Sequence, residues 1–166
     1  MKTIAEIVDY LKLHQLRLAT AESCTAGLAI ALLADIEGFG AQMDCGYVVY
    51  SPQSKQRLLS VRAESIETFG LTSEVVAREM AEGALRDSTA NVTIANTGVA
   101  GPEPMDGIAP GTVCMAWGFV YAGRRWLYSE TKHFSGDRQT VRHRAAEHSI
   151  LEIYSHHQAL LGMGRV

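Results

Sequence analysis

At 166 residues the chain suits one domain that is large enough to bury a sizeable hydrophobic core. Its composition, 47% hydrophobic and 20% charged residues, is that of an ordinary globular protein. The formal net charge is −3 and there is no run of Lys or Arg, which disfavours binding to duplex nucleic acid. The three widely spaced cysteines form no CxxC pair, which argues against a zinc knuckle or a redox dithiol, and no apolar run approaches the ~20 residues needed to span a membrane.

The first half of the chain is predicted to alternate helices and strands. Apolar residues at helical spacing predict a helix over residues 2–14. Because this segment contains acidic residues and Lys within its apolar pattern, it does not resemble a signal peptide, and a cytoplasmic protein is expected. The segment LRLATA predicts a strand over 16–21, and LAIALLAD predicts a buried helix over 28–35. β-branched and aromatic residues predict a strand over 45–51, and Pro52 is a good first residue for the helix that follows.

The second half is predicted to end in a hairpin and a long helix. AESIETFG predicts a short helix capped by Gly70, and a longer helix follows over 72–87. ANVTIANTG predicts a strand over 90–98 that leads into a Gly/Pro loop. Two further strands are expected to turn at Ala122-Gly123, and helix-start residues open a final helix over 135–157.

This order of elements predicts the fold class. Alternating helices and strands with a hairpin near the end favour an α/β fold, a three-layer α/β/α sandwich with a mixed sheet. No repeat or linker divides the chain, so a single domain with a core over about residues 4–154 is expected. Residues 158–166 are predicted to form a flexible tail, and the apolar helix faces favour a homo-oligomer.

Three potential nucleophiles, Ser23, Cys24 and Thr25, lie side by side between a predicted strand and a predicted helix. Ligands bind at such strand ends in α/β sheets, and the nearby backbone N–H groups and helix dipole can stabilise an oxyanion. The pattern fits Ser23 as a nucleophile. Two alternatives stay open: Ser23 or Thr25 caps the helix, or Cys24 is a thiolate nucleophile at the helix start.

A serine hydroxyl needs a base, and Lys55 is the candidate in the segment YVVYSPQSK, which also contains Tyr50. Burial in an apolar pocket disfavours the charged form of a lysine and so makes it basic at neutral pH. The alternative is an ordinary solvated lysine on a helix.

Two later segments contain candidate substrate-binding residues. In NTGVAGPEP, Gly98 and Gly101 allow backbone amides to approach a carbonyl or phosphate closely, and Thr97 supplies a hydroxyl. In FSGDRQTVRHR, Arg138 and Arg142 are four residues apart, share a helix face and could clamp a phosphate or carboxylate. A plain Gly/Pro turn and an exposed arginine pair are the alternatives.

Six segments occur in an order that identifies a family: TAESCTAG, CGYVVYSPQSKQRLLSV, GLTSEVVAREMAEGA, NTGVAGP, PGTVCMAW and HFSGDRQTVR. They resemble the motifs of the CinA C-terminal domain family, and the resemblance extends from about residue 4 to 154. It implies a stand-alone domain without the family's longer N-terminal partner. It also implies an amidase that hydrolyses nicotinamide mononucleotide (NMN) to nicotinic acid mononucleotide and ammonia.

The resemblance implies a Ser–Lys mechanism on a small-molecule substrate, with no metal and no cofactor. Ser23 matches the family's nucleophile, Lys55 its general base, and Tyr50 a tyrosine that orients the pair or the substrate. Thr97 matches the hydroxyl residue of the glycine loop. Arg138 matches the arginine of the S-G-D-R motif and, with Arg142, would hold the phosphate.

The chain departs from the family pattern at several positions near these residues. Ala26 replaces a glycine, Pro52 removes a backbone donor, Gln53 removes a carboxylate, and residues 102–110 differ from the family's D-G-G loop. Two other functions therefore stay open: an amidase for another small amide, and a paralogue that binds a nucleotide-like ligand without turnover.

Overall fold

The computed structural model describes residues 2–163 as a sheet between two layers of helices. The helices in this part of the chain are α1 (Ile4–Leu13), α2 (Leu28–Ala34), α3 (Pro52–Leu59), α4 (Ala63–Phe69), α5 (Glu74–Asp87) and α6 (Arg138–Met163). The strands are β1 (Leu18–Glu22), β2 (Met43–Val48), β3 (Val92–Gly98), β4 (Thr112–Tyr121) and β5 (Arg124–His133). A short 3-10 turn over Phe39–Gln42, which the sequence did not predict, precedes β2.

The five strands form one mixed sheet in the order β2-β1-β3-β4-β5. β1 pairs in parallel with β2 and β3, whereas β4 runs antiparallel to both β3 and β5. The register places Glu22, the last residue of β1, opposite Asn96 of β3. Because the carboxyl ends of the three parallel strands share one edge, the loops that follow them converge there. The predicted three-layer α/β sandwich with a mixed sheet is confirmed.

Each face of the sheet has its own core. Large apolar residues such as Leu18, Ile94 and Trp117 lie in the core on the side of α1, α2 and α6. The opposite core uses smaller sheet residues, which lets α3 and α5 pack closely. A methyl group added at Gly83 of α5 would meet the Leu59 carbonyl oxygen at 2.1 Å, so only glycine permits this approach.

The strand predicted over 45–51 ends earlier, at Val48. The reason is that Ser51 caps α3: its side-chain oxygen accepts a hydrogen bond of 3.0 Å from the Ser54 N–H. Tyr50 therefore lies in the turn between β2 and α3 rather than within a strand, which carries its ring to the edge of the sheet where the parallel strands end.

The last helix is longer than the sequence predicted. Residues 158–163, expected to belong to a flexible tail, continue α6 to Met163, because the fully buried Leu160 joins the core beside α1. The remainder of the predicted tail, residues 164–166, lies outside the described residues. Neither α6 nor any other helix within residues 2–163 combines the length and apolar character required to cross a membrane.

Candidate active site

The three parallel strands deliver the predicted site residues to one edge of the sheet. Ser23 directly follows β1, and its N–H donates to the Asn96 carbonyl oxygen at 3.1 Å. Thr97 lies at the end of the neighbouring strand β3, and Tyr50 lies in the turn after β2. Ser23, Tyr50 and Thr97 all line one small cavity of about 70 Å³.

Lys55 reaches this cavity from the first turn of α3. Its Nζ donates to Ser23 Oγ at 2.8 Å, to the Val49 carbonyl oxygen at 2.8 Å and to the Tyr50 carbonyl oxygen at 3.2 Å. The Lys55 side chain is only 1% exposed, and burial lowers its pKa to about 8. Lys55 is therefore not the solvated lysine of the alternative interpretation but a buried amine in contact with a serine hydroxyl.

Neither neighbour of Ser23 shares this arrangement. Cys24 is buried, its Sγ lies 3.5 Å from Asn96 Oδ1, and burial raises the pKa of its thiol to about 12. The Thr25 hydroxyl donates to the Glu22 carboxylate at 2.6 Å. A cysteine that keeps its proton is a poor nucleophile, and Thr25 is fully buried and does not line the small cavity, so the geometry favours Ser23 among the three.

Glu22 is a buried residue beside Ser23 that the sequence analysis missed. Its carboxylate is fully buried and accepts N–H bonds of 3.0 Å from Gly27, Ala29 and Ile30, besides the Thr25 hydroxyl. These N–H groups form the start of α2, so they are bonded within the protein and are not available to an oxyanion. The available signal was an acid that ends a strand of otherwise small or apolar residues, LATAE.

Other backbone N–H groups near Ser23 are free to bind an oxyanion. Within residues 2–163, the N–H groups of Cys24, Ala100 and Gly101 donate to no acceptor. Cys24 lines the small cavity and also a second, adjoining cavity of about 240 Å³, whose wall includes Ala100 and Gly101. The N–H of the residue that follows the nucleophile is a common oxyanion donor.

The glycine loop after β3 has mixed roles. Thr97 is buried, and its hydroxyl donates to the Leu71 carbonyl oxygen at 2.9 Å, which leaves its oxygen as an acceptor toward the small cavity. A methyl group at Gly98 would meet the Thr112 carbonyl oxygen at 2.7 Å, so this glycine is required by the approach of β4. Gly101 has φ +96°, a left-handed conformation that favours glycine.

Arg138 joins this loop to Tyr50. It is the first residue of α6, after Asp137, which caps the helix by accepting a 2.8 Å bond from the Thr140 N–H. Arg138 Nη1 donates to the Gly101 carbonyl oxygen at 2.7 Å, and Nη2 donates to the Tyr50 hydroxyl at 3.0 Å. Arg138 thus lines the 240 Å³ cavity with part of its guanidinium already bonded.

Arg142 does not accompany Arg138 into the cavity. Its Nε donates to the Cys24 carbonyl oxygen at 3.1 Å, and its Nη2 donates to the Thr25 carbonyl oxygen at 2.8 Å. It lines neither cavity beside Ser23. The two arginines share a helix face, but Arg138 is bonded to the wall of the 240 Å³ cavity, whereas Arg142 is bonded to the Ser23 turn.

The family comparison covers nearly the whole chain. Residues 1–156 match the CinA C-terminal domain family. The chain is 40% identical over 131 residues to a nicotinamide-nucleotide amidohydrolase, PncC, of Enterobacter agglomerans, a match that covers 78% of each chain. It is 38% identical over 156 residues to a CinA-like protein of Chlorobium phaeobacteroides; the match covers 92% of this chain but only 37% of that longer protein.

Solved structures of this superfamily have the same fold. A CinA superfamily protein from Escherichia coli superposes with a TM-score of 0.83 at 38% identity, covering 92% of this chain and 89% of that one. A competence or damage-inducible protein from Enterobacter asburiae gives a TM-score of 0.84 at 39% identity, covering 93% and 98%. The agreement extends over almost the entire length of both chains.

Proposed function

The chain belongs to the CinA C-terminal domain family, and from this premise we propose that it is an amidohydrolase that converts NMN and water to nicotinic acid mononucleotide and ammonia. Ser23 is the nucleophile and Lys55 the general base. The observation that carries the proposal is the 2.8 Å contact between Lys55 Nζ and Ser23 Oγ in a buried site. A relative that is 40% identical and named for this activity supports the choice of substrate.

In the first half of the reaction, neutral Lys55 accepts the Ser23 proton while Oγ attacks the amide carbon. The negative charge that develops on the amide oxygen is stabilised by free backbone N–H groups, that of Cys24 and those of the loop at Ala100 and Gly101. The Lys55 ammonium then gives its proton to the amide nitrogen. Ammonia leaves, and the acyl group stays on Ser23 as an ester.

In the second half, Lys55 takes a proton from water, and the resulting hydroxide attacks the ester carbon. The tetrahedral intermediate collapses, the carboxylic acid leaves, and Ser23 Oγ recovers its proton from Lys55. The lowered pKa of Lys55, about 8, suits a group that must accept and donate a proton in each half-reaction.

Tyr50 and Arg138 position the substrate in this proposal. The Tyr50 side chain is 58% exposed, and its ring lines both cavities, where a pyridinium ring would gain about 0.5–2 kcal/mol from a cation–π contact. Arg138 fixes the Tyr50 hydroxyl and keeps N–H donors for a polar group of the substrate. Arg142 acts by bracing the Ser23 turn rather than as a second phosphate ligand.

The test is the release of ammonia and nicotinic acid mononucleotide from NMN by the purified protein, compared with Ser23→Ala and Lys55→Met. Both variants should lose at least about a thousandfold in kcat, as removal of a nucleophile or its base does. Lys132→Met, a control that removes an exposed lysine on β5, should retain turnover.

Labelling of Ser23 by a serine-reactive probe separates the alternatives. Labelling without NMN turnover would indicate an amidase for another amide. A folded protein that shows neither labelling nor turnover, but is stabilised by nucleotide-like ligands, would contradict the enzyme assignment and favour a binding paralogue.

A further inference from the structure

We propose that two copies of this chain pair along β5, the edge strand of the sheet, so that their sheets join into one continuous sheet about a two-fold axis at Leu127. In this register Arg124 of each copy lies opposite Glu130 of the other. The inference does not depend on the proposed amidohydrolase function, because β5 lies two strands away from β3 and lines neither cavity beside Ser23.

The backbone of β5 presents an unpaired row of hydrogen-bonding groups. The strand is ten residues long and pairs only with β4. On the opposite edge of β4, the Val120 N–H donates to the Asn91 carbonyl oxygen at 2.8 Å, so the even-numbered residues of β4 bond toward β3 and its odd-numbered residues bond toward β5. The register of β4 with β5 then directs the N–H and C=O groups of Arg125, Leu127, Ser129 and Thr131 outward. Such an edge is a template for another strand.

The helices leave this edge accessible. Within residues 2–163, α6 packs more closely on β3 and β4 than on β5. Open grooves of about 360 Å³ flank the strand on both faces, one beside Leu127 and α5, the other beside Trp126 and the end of α6. Arg78 Nη1 reaches the outward row and donates to the Leu127 carbonyl oxygen at 3.1 Å. A carbonyl oxygen has two lone pairs, so this bond is compatible with a second one from a neighbouring strand.

The side chains of β5 favour one antiparallel register with a second copy. A two-fold axis perpendicular to the sheet keeps the α5 faces of both copies on one side, so outward residues pair with outward residues. With Leu127 opposite itself, Arg124 lies opposite Glu130 and Trp126 lies opposite Tyr128. Each pair occurs twice. Cross-strand pairs of opposite charges and of aromatic rings stabilise a sheet, so this register is self-complementary.

The neighbouring registers lose this complementarity. A shift of two residues in one direction places Arg124 opposite Lys132, a pair of like charges, and a shift in the other direction places it opposite Tyr128. Within residues 2–163, Arg124 forms no salt bridge. The Glu130 carboxylate is bonded to His148 through one oxygen, which leaves the other oxygen for an arginine of the second copy.

The test is sedimentation equilibrium of the purified protein and its charge variants, with the fold checked by circular dichroism. Arg124→Glu and Glu130→Lys should each raise the Kd of the dimer by about tenfold or more, since each creates two like-charge pairs. The double variant, which exchanges the two charges, should return to within about threefold of the parent. A parent that stays monomeric up to about 200 µM overturns the proposal, and a double variant no tighter than the single variants overturns the register.

Arg125→Glu is the matched control. Arg125 is exposed next to Arg124 and the substitution changes the net charge equally, but its side chain lies on the other face of the strand and opposite Ser129 in the proposed register. The Kd should therefore stay within about threefold of the parent. Equal weakening by Arg124→Glu and Arg125→Glu would assign the effect to net charge and overturn the proposed pairing.

A cysteine on the two-fold axis tests the register without changing any charge. Hydrogen-bonded antiparallel pairs have Cα atoms about 5.5 Å apart, which suits a disulfide. Leu127→Cys should therefore yield a covalent dimer under mild oxidation, whereas Ser129→Cys, which faces Arg125, should not. The parent, which has three cysteines of its own, provides the background. Crosslinking of Ser129→Cys in place of Leu127→Cys, or of neither variant above the parent, overturns the proposed register.

Discussion

In the proposed mechanism Lys55 must lose a proton before it acts as a base, so the reaction rate should depend on pH in a defined way. Burial lowers the pKa of Lys55 to about 8, and only the neutral amine accepts the Ser23 proton. The free enzyme therefore gains activity as the pH rises through this value. A change of pH tests this role of Lys55 without a substitution in the site.

The size of the effect follows from the fraction of neutral Lys55. A group with a pKa of about 8 is about one-tenth neutral at pH 7, half neutral at pH 8 and nine-tenths neutral at pH 9. We expect kcat/KM to rise about fivefold from pH 7 to 8 and less than about twofold from pH 8 to 9. A solvated lysine, with a pKa of about 10.4, would instead give a tenfold rise over each of these units.

The assay is ammonia release at low NMN concentration between pH 6 and 10, at constant ionic strength, with the fold monitored by circular dichroism at each pH. A profile that is flat between pH 6 and 9, or that rises tenfold per unit up to pH 10, would falsify the assignment of Lys55 as a buried base.

Protein stability provides an independent check with a defined sign. The pKa of Lys55 is lower in the folded state than in the unfolded chain, so protonation favours unfolding. As the pH falls from about 10.4 through 8, the parent should lose up to about 3 kcal/mol in its free energy of unfolding relative to Lys55→Met. Urea unfolding of both proteins at several pH values measures this difference, which should stay constant below about pH 7.

Three further predictions concern the Ser23 turn and the end of α6. Arg142→Leu leaves the Cys24 and Thr25 carbonyl oxygens without their donor. The kcat should therefore fall about tenfold with little change in KM, and urea titrations should show a loss of about 1–3 kcal/mol in the free energy of unfolding. Arg142→Lys should recover part of both losses, and an unchanged kcat in Arg142→Leu would contradict the bracing role. Ala26 has φ +52°, so Ala26→Gly should raise the free energy of unfolding by about 1 kcal/mol, and a loss of stability would show that the methyl group contributes packing that outweighs the strain. Leu160→Ala should cost about 2–5 kcal/mol in the same measurement, because the side chain is fully buried, and a cost below about 0.5 kcal/mol would refute its place in the core.

Local sequence patterns predicted the elements and their order, since hydrophobic periodicity and capping residues act over a few positions. They also indicated Ser23 as a candidate nucleophile and Lys55 as a candidate base, because both lie where a strand ends and a helix begins. The 3-10 turn at Phe39–Gln42 was missed because turns of this kind carry little periodicity. The end of α6 was misplaced because Leu160 is held by a distant part of the core rather than by its own neighbours.

The directions of the charged side chains in the site could not be predicted. Arg138 and Arg142 have the same spacing as any helical pair, and only the packing of α6 against the Ser23 turn sends them to different partners. Glu22 likewise gave no periodic signal, because its hydrogen bonds depend on how α2 begins beyond the turn.

The Glu22 carboxylate also occupies a position at which many related folds bind an inorganic anion. In many α/β proteins, inorganic phosphate or sulfate settles at the helix start behind the first strand and competes with the substrate. In this protein the Glu22 side chain occupies that position and accepts the N–H groups that an anion would otherwise bind. We therefore expect that inorganic phosphate and sulfate do not bind at the start of α2 in this protein.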